Sequence, residues 1–222
     1  MKDHFLSKNL KKRSFIFKSI KKFKNIKILN NSFYQVILKK KLSQKQKTNL
    51  NLKYINKLNI YELNFKNLKT KMDQNKVKIV KAKNTHKREI FKICKETKSL
   101  SRFWIDRSIP FKFKKNYLFL WLKNFFLNLR GDLLLVSVNR SKVLGFVLLK
   151  VKKKIIQIDQ IVVNKRFRNQ GIASKLITNI SNFTNYTKIK AGTDSKNISA
   201  KKLYFSLNFK KKSSFYNYHL HT

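Results

Sequence analysis

The apolar positions of this chain change period at a short basic turn. From 155 to 163 the run Ile-Ile-Gln-Ile-Asp-Gln-Ile-Val-Val is rich in β-branched residues and reads as a buried strand. Past the turn, Ile172, Leu176, Ile177, Ile180 and Phe183 recur at helical spacing. A strand therefore feeds a helix through residues 166–173. Upstream, residues 77–80 read as a strand. Residues 85–100 read as a helix with Ile90, Phe91, Ile93 and Cys94 inward. A second helix follows Pro110 from about residue 113, with Tyr117, Trp121, Leu122, Phe125 and Leu129 on one side, and Gly131-Asp132 breaks it. Residues 133–138 and 143–151 form a hairpin around 139–142, and Gly145 inside the second strand marks a bulge or a close backbone approach. A further turn at 152–154 leads into the strand at 155. Downstream come a short strand at 188–191, a helix over 197–209 and a closing strand. This order predicts an α/β fold, a mixed, mostly antiparallel central sheet flanked by helices.

Before residue 76 the pattern is weaker. Phe15, Ile16, Ile20 and Phe23 share one face of a short helix, and β-prone runs at 32–38 and 58–65 flank a stretch of lysine and glutamine. The reading is a small basic N-terminal region over 1–75, a partial α/β unit, ahead of a main domain over 76–222.

Charge alters this picture less than its size suggests. The 222 residues carry 54 lysines and arginines against 9 acids, a net +45, which ordinarily points to nucleic acid or an anionic membrane. Only eight of the 54 are arginine, the residue whose fork specific phosphate recognition recruits. Lysine, asparagine, isoleucine and phenylalanine are over-used together, so compositional drift with solvated lysine faces is the reading, and nucleic acid is not an expected partner. The single Cys94 leaves no disulfide framework or cysteine metal cluster and suggests a cytoplasmic protein. The apolar run 117–129 is interrupted and too short to span a bilayer, and the N-terminus lacks a signal-peptide pattern. His219 and His221 alternate on one strand face at a spacing suited to weak metal binding. The sequence offers no third ligand, so no metal is expected.

The turn at 166–173 carries the chemistry. Gly171 is one of four glycines in the chain, placed where a positive φ or close ligand approach is needed. It opens a helix whose first amides have no partner within the helix, and the aligned peptide dipoles add partial positive charge there. A pyrophosphate fits such a terminus, with Arg166 and Arg168 at the rim. Neither a Gly-x-Gly-x-x-Gly nor a Gly-Lys-Ser/Thr loop is present. The stretch resembles motif A of the GNAT acetyltransferase superfamily in its strand ending in valine, its Phe167-Arg168 pair and its Gly171-Ile172-Ala173 helix start. Lys165 stands where that family often has proline. A second segment, Asn197-x-x-Ala200-x-x-x-Tyr204 followed by Leu207-Asn208-Phe209, resembles motif B, with Asn208 where glycine is usual. Asparagine reaches the left-handed region more readily than most residues.

The resemblance implies a GNAT-type fold and acetyl-CoA as co-substrate. The pantetheine arm lies beside Ile161, Val162 and Val163. The pyrophosphate lies on Arg166, Arg168, Asn169, Gln170, Gly171, Ile172, Ala173 and Ser174, with Asn197 near the arm. A backbone amide near Val162 or Val163 stabilises the oxyanion, after a bulge at Gly145 has splayed the sheet. Tyr204 is the general acid toward the departing thiolate, and Asp106 and Asp159 are candidates for the base. Three further features are similar to the branch containing dTDP-fucosamine acetyltransferase: Ser101-Arg102-Phe103 with Asp106, Gly192-Thr193-Asp194, and Tyr216-Asn217-Tyr218-His219. That likeness implies a small-molecule amine acceptor, an amino sugar carried on a nucleotide, with Arg102 and Asp106 as substrate-binding residues. A homodimer is compatible with it. Two alternatives stay open: acetylation of a protein or peptide amine, and a basic nucleic-acid- or ribosome-binding protein.

Overall fold

The computed structural model of the protein describes residues 1–68, 77–97, 101–152 and 155–222. In chain order these form α1 (His4–Leu10), β1 (Arg13–Phe17), α2 (Ile20–Lys24), β2 (Ser32–Leu38), α3 (Gln44–Asn49) and β3 (Lys53–Asn64). There follow β4 (Lys78–Lys81), α4 (Lys87–Glu96), α5 (Arg102–Ile105), α6 (Phe111–Phe126), β5 (Leu133–Asn139) and β6 (Lys142–Lys152). The chain ends with β7 (Ile155–Val163), α7 (Ile172–Thr178), β8 (Lys188–Asp194), α8 (Ile198–Ser206) and β9 (Lys210–His221). The expected helix end at 98–100, the boundary at 75 and turn residues 153–154 lie outside the described residues.

Among the described residues nine strands make one mixed sheet in the order β1-β2-β9-β3-β8-β7-β6-β5-β4. Only β1–β2 and β7–β8 pair in parallel. Strands from before residue 75 alternate in this sheet with strands from after it, because β3 bonds β8 along one edge and β9 along the other. One face is covered by α1, α4, α5 and α6, whose Leu6, Ile90, Phe103, Tyr117 and Leu122 close a core with Phe146 and Val162. The other face is covered by α7 and α8 over Val147, Ile156, Leu176 and Tyr204. A third apolar cluster, around Phe23, Tyr34 and Tyr218, seals the β1–β2–β9 edge.

The helical period of α4 buries Ile90, Ile93 and Cys94 as expected, and burial pushes the Cys94 thiol up to about 12, so it is a core residue. Pro110 caps α6. Two expectations change. Phe15 and Ile16 belong to a strand, because β1 pairs with β2 and stacks Phe15 on Tyr34 at 5.2 Å between ring centroids; Ile20 and Phe23 form the short α2. Leu129 is exposed, since α6 ends at Phe126 before reaching it.

Gly145 lies where β7 passes close against β6. A Cβ there would stand 2.8 Å from the Val162 carbonyl oxygen and 3.2 Å from Val163 Cα, both backbone atoms that cannot swing aside. Gly145→Ala should therefore cost about 1–3 kcal/mol in denaturant unfolding, the usual scale for overpacking. Unchanged stability would show that these strands are not so closely apposed.

Candidate active site

The site begins with a break in strand pairing. β7 and β8 pair only at Ile156–Ile189, Gln157–Lys190 and Ile158–Ala191. Directly afterwards the β6–β7 register shifts, Leu148 opposing Gln160 and Leu149 opposing Ile158, so Asp159 is the extra residue of a bulge. The opening of the sheet thus lies at Asp159. An irregularity does occur beside Gly145, where Leu144 is the extra residue, but it falls in the β5–β6 pairing and does not part β7 from β8. The Asp159 carboxylate is committed to the bulge: Arg130 donates to both its oxygens at 2.8 Å and Lys150 lies 3.3 Å away. It is therefore not the free base that the sequence reading allowed.

Beyond the bulge, the Asn164 amide bonds to the Leu144 carbonyl oxygen. Strand alternation then turns Val162 toward β6, and turns the N–H and C=O of Ile161 and Val163 into the gap. The chain next makes a single turn, capped by Asn164, whose side chain accepts from the Arg166 amide. Arg168 Nε donates back to the Val163 carbonyl at 3.3 Å. Asn169 and Gly171 both take positive φ, 62° and 73°. Gly171 is the N-cap of α7 and offers no side chain to satisfy the amides that follow it.

These pieces line one cleft of about 490 Å³. Ile161, Val162 and Val163 form one wall, and Arg168, Asn169, Gly171, Ile172, Ala173 and Ser174 form the basic end. Asn197 stands opposite, accepting from the Ala200 amide at 3.1 Å as the cap of α8. Of the residues expected here, Arg166 and Gln170 do not line the cleft. Arg166 turns to a separate hollow beside Glu89 and Lys142, because the single turn before Arg168 reverses its direction, and Gln170 is exposed at the tip of the loop. The sequence reading missed Gln160, Phe167, Ser199 and Leu203, and also Thr97 and Leu118, which reach the cleft from the α4 and α6 layer. The first four neighbour motif residues, whereas Thr97 and Leu118 arrive only through tertiary packing.

Tyr204 continues the α8 face of Asn197 and Ala200 by one turn, but it is only 2% exposed and does not line the cleft. Its ring packs against Tyr61 and Phe209, and burial raises its pKa above the ordinary tyrosine value, so it stays protonated at neutral pH. Asp106 is buried and Arg102 half-buried on the α4–α6 face; neither lines the cleft, and they make no ion pair with each other. Burial lowers the Arg102 guanidinium to about 10, still cationic, and it stacks on Phe103 at 4.4 Å. Asp106 instead meets His219 Nδ1 at 2.6 Å and His221 Nε2 at 2.7 Å. Burial opposes its charge, but these hydrogen bonds outweigh that and hold its carboxyl well below the usual carboxylate range. Burial pushes the His219 imidazole down to about 4, leaving it neutral at pH 7.

The family model for the acetyltransferase (GNAT) family matches residues 97–209, just over half of the chain. The protein belongs to that family and is an acetyl-CoA-dependent N-acetyltransferase. Solved structures share the fold. A functionally unknown conserved protein from Staphylococcus epidermidis has a TM-score of 0.68 at 16% identity, over 86% of this chain and 73% of that one. A GCN5-related N-acetyltransferase from Sphaerobacter thermophilus has a TM-score of 0.59 at 11% identity, over 86% of this chain and 60% of that one. Another, from Kribbella flavida, has a TM-score of 0.55 at 9% identity, covering 85% and 68%. No curated protein matches the chain. Among the described residues no helix is long and apolar enough to cross a membrane.

The cleft fits acetyl-CoA on its own terms. Uncapped amides at a helix start suit a diphosphate, and an unpaired strand edge suits an arm that carries amide groups. An added Cβ at Gly171 meets nothing within 4 Å, so a side chain there would be resisted by the positive φ and not by space. Gly171→Val should raise the acetyl-CoA Kd by roughly ten- to a hundredfold, matching about 1–3 kcal/mol of backbone strain. An unaltered Kd, measured by calorimetry, would show that this turn does not hold the diphosphate.

Proposed function

We propose that the protein acetylates the amino group of a nucleotide-activated amino-deoxy sugar by direct transfer. The observation that carries this reading is the gap at Asp159, which lets one cleft run from the α7 start through the sheet to Thr97 and Leu118. Donor and acceptor can thus approach from opposite faces. Acetyl-CoA supplies the acetyl group as a thioester. The amides of Ile172, Ala173 and Ser174, with Arg168, hold the diphosphate, and the Ile161 backbone bonds the arm. A gap-facing amide, that of Val163, is the donor aimed at the carbonyl oxygen where negative charge develops.

Likeness to the motif B tyrosine supports Tyr204 as the residue that returns a proton to the thiolate. Because its side chain is buried and outside the cleft lining, the role requires its hydroxyl to gain access once acetyl-CoA is bound. The acceptor amine reacts in its neutral form; among the described residues none lining the cleft carries a carboxylate or an imidazole, so the proton that the nitrogen sheds as the amide forms passes to water. On the acceptor side the likeness of Ser101-Arg102-Phe103 and Gly192-Thr193-Asp194 to the amino-sugar branch supports a nucleotide sugar. Arg102, a half-buried cation without an ion pair among the described residues, is the residue we assign to its diphosphate. Asp106 serves indirectly, fixing the turn after α5. The exposed lysines occur on α2, α4, α6, β6 and β9 alike; Lys188, Lys190, Lys210 and Lys212 do share one hollow, but among the described residues no aromatic lines it, which supports drift over nucleic-acid binding.

Thiol release from acetyl-CoA, followed with a panel of amines, tests the reading. Turnover should appear with nucleotide 4-amino sugars and drop on removal of the nucleotide; a preference for peptide amines would overturn it. In the same assay Tyr204→Phe should lower kcat by ~10²–10⁴ with acetyl-CoA affinity unchanged. Wild-type turnover would take Tyr204 out of the mechanism.

A further inference from the structure

The fold supplies what the sequence lacked for His219 and His221. The two imidazoles project from one face of β9, and Asp106, at the end of α5 and 113 residues before His219, meets both with one oxygen. One nitrogen of each histidine and one Asp106 oxygen all lie within 4.8 Å of one another. We propose that Asp106, His219 and His221 form a binding site for a divalent ion of the zinc type. It clamps the end of α5 to the C-terminal strand, and it does not depend on the identity of the acetyl acceptor.

Four observations favour a built site over a chance meeting of polar groups. Asp106 and His219 are fully buried, while the His221 side chain is 18% exposed and leaves a route in from solvent. The second carboxylate oxygen is already occupied, accepting from the Ser108 amide, which fixes the plane of the carboxylate and presents the other oxygen to the histidines. The Phe33 ring packs 4.8 Å from both imidazoles and holds their orientation. Finally, His219 Nε2 is buried without a hydrogen-bond partner. Buried histidines ordinarily satisfy both nitrogens, so a ring that leaves one bare is oriented by what its Nδ1 faces.

The donor set names the ion. Two imidazole nitrogens and one carboxylate oxygen suit Zn²⁺ and its neighbours in the first transition row, whereas Mg²⁺ and Ca²⁺ prefer oxygen. Metal–ligand bonds of about 2.0–2.1 Å in a tetrahedron put ligand atoms roughly 3.3 Å apart, so each histidine must retreat from Asp106 by about 0.6 Å. Lys53 Nζ stands 3.9 Å from the other Asp106 oxygen, but that side chain is 54% exposed and is free to turn outward when a dication enters. Three protein ligands leave the fourth position to water.

The test is a Co²⁺ titration of the full chain after chelator treatment, read by visible absorption and calorimetry. One ion per chain should bind with the strong bands of a low-coordinate site, and Zn²⁺ should displace it. His221→Gln, at a partly exposed position and with its fold verified by circular dichroism, should weaken binding at least about tenfold, the scale of losing even an outer partner of a metal ligand. Replacing His4 and His86 together, the other two histidines of the chain, should leave affinity unchanged. Absence of saturable one-to-one binding by the wild type, or undiminished binding by His221→Gln, would overturn the proposal and leave the three residues as a hydrogen-bonded tether.

Discussion

The structure depends on the parting of two strands at the middle of its sheet. β7 and β8 pair for three residues and then separate, which leaves the N–H and C=O of Ile161 and the N–H of Val163 facing a gap inside a nine-stranded sheet, the Val163 carbonyl being taken by Arg168. Backbone donors and acceptors left without partners are costly, so a fold that keeps such an edge reserves it for something that will bond to it. The separation is held mechanically. Asp159, the bulged residue, is gripped by Arg130 and Lys150, and Arg130 stacks on Trp121 at 4.0 Å, so α6 braces the bulge from one side. On the other side the close approach at Gly145 keeps β7 against β6. The gap is thus fixed before any ligand arrives, and the turn at Gly171 lies at its basic end.

Much of this was legible because the relevant signals are local. The β-branched run at 155–163, the helical spacing after it and a glycine between them define strand, turn and helix without help from the rest of the chain, and Gly171 does take a positive φ. Asn208 does too, at 68°, as expected where glycine is usual. The bulge at Asp159 was not legible, since a one-residue register slip against β6 leaves no mark in composition. The strand at Phe15 was read as a helix because five residues cannot separate the two periods, and only pairing with β2 decides. Asp106 was read as a carboxylate free for substrate; its histidine partners are more than a hundred residues away in sequence and adjacent only in the fold.

The N-terminal residues also take part in the architecture that holds the site. β3 fills the space between β8 and β9, and its Asn56 donates to Asp194 at 2.6 Å while accepting from Asn217 at 2.8 Å. This buried chain of amides ties the end of β8, just ahead of the Asn197 cap, to the strand that carries His219. From the other face, Phe5 of α1 stacks on Trp121, the residue beneath Arg130. Both walls of the cleft therefore rest on segments from the first 68 residues.

The claim that the α7 start holds the diphosphate and the β7 edge holds the arm is tested most directly by calorimetry on the wild-type chain with two ligands, acetyl-CoA and S-acetylpantetheine, which has the arm and thioester but no diphosphate. The account predicts saturable binding of acetyl-CoA, roughly tenfold or more tighter than that of the truncated ligand, with the gap diminishing as salt is raised. Equal affinity for the two, or the absence of acetyl-CoA binding, would contradict it.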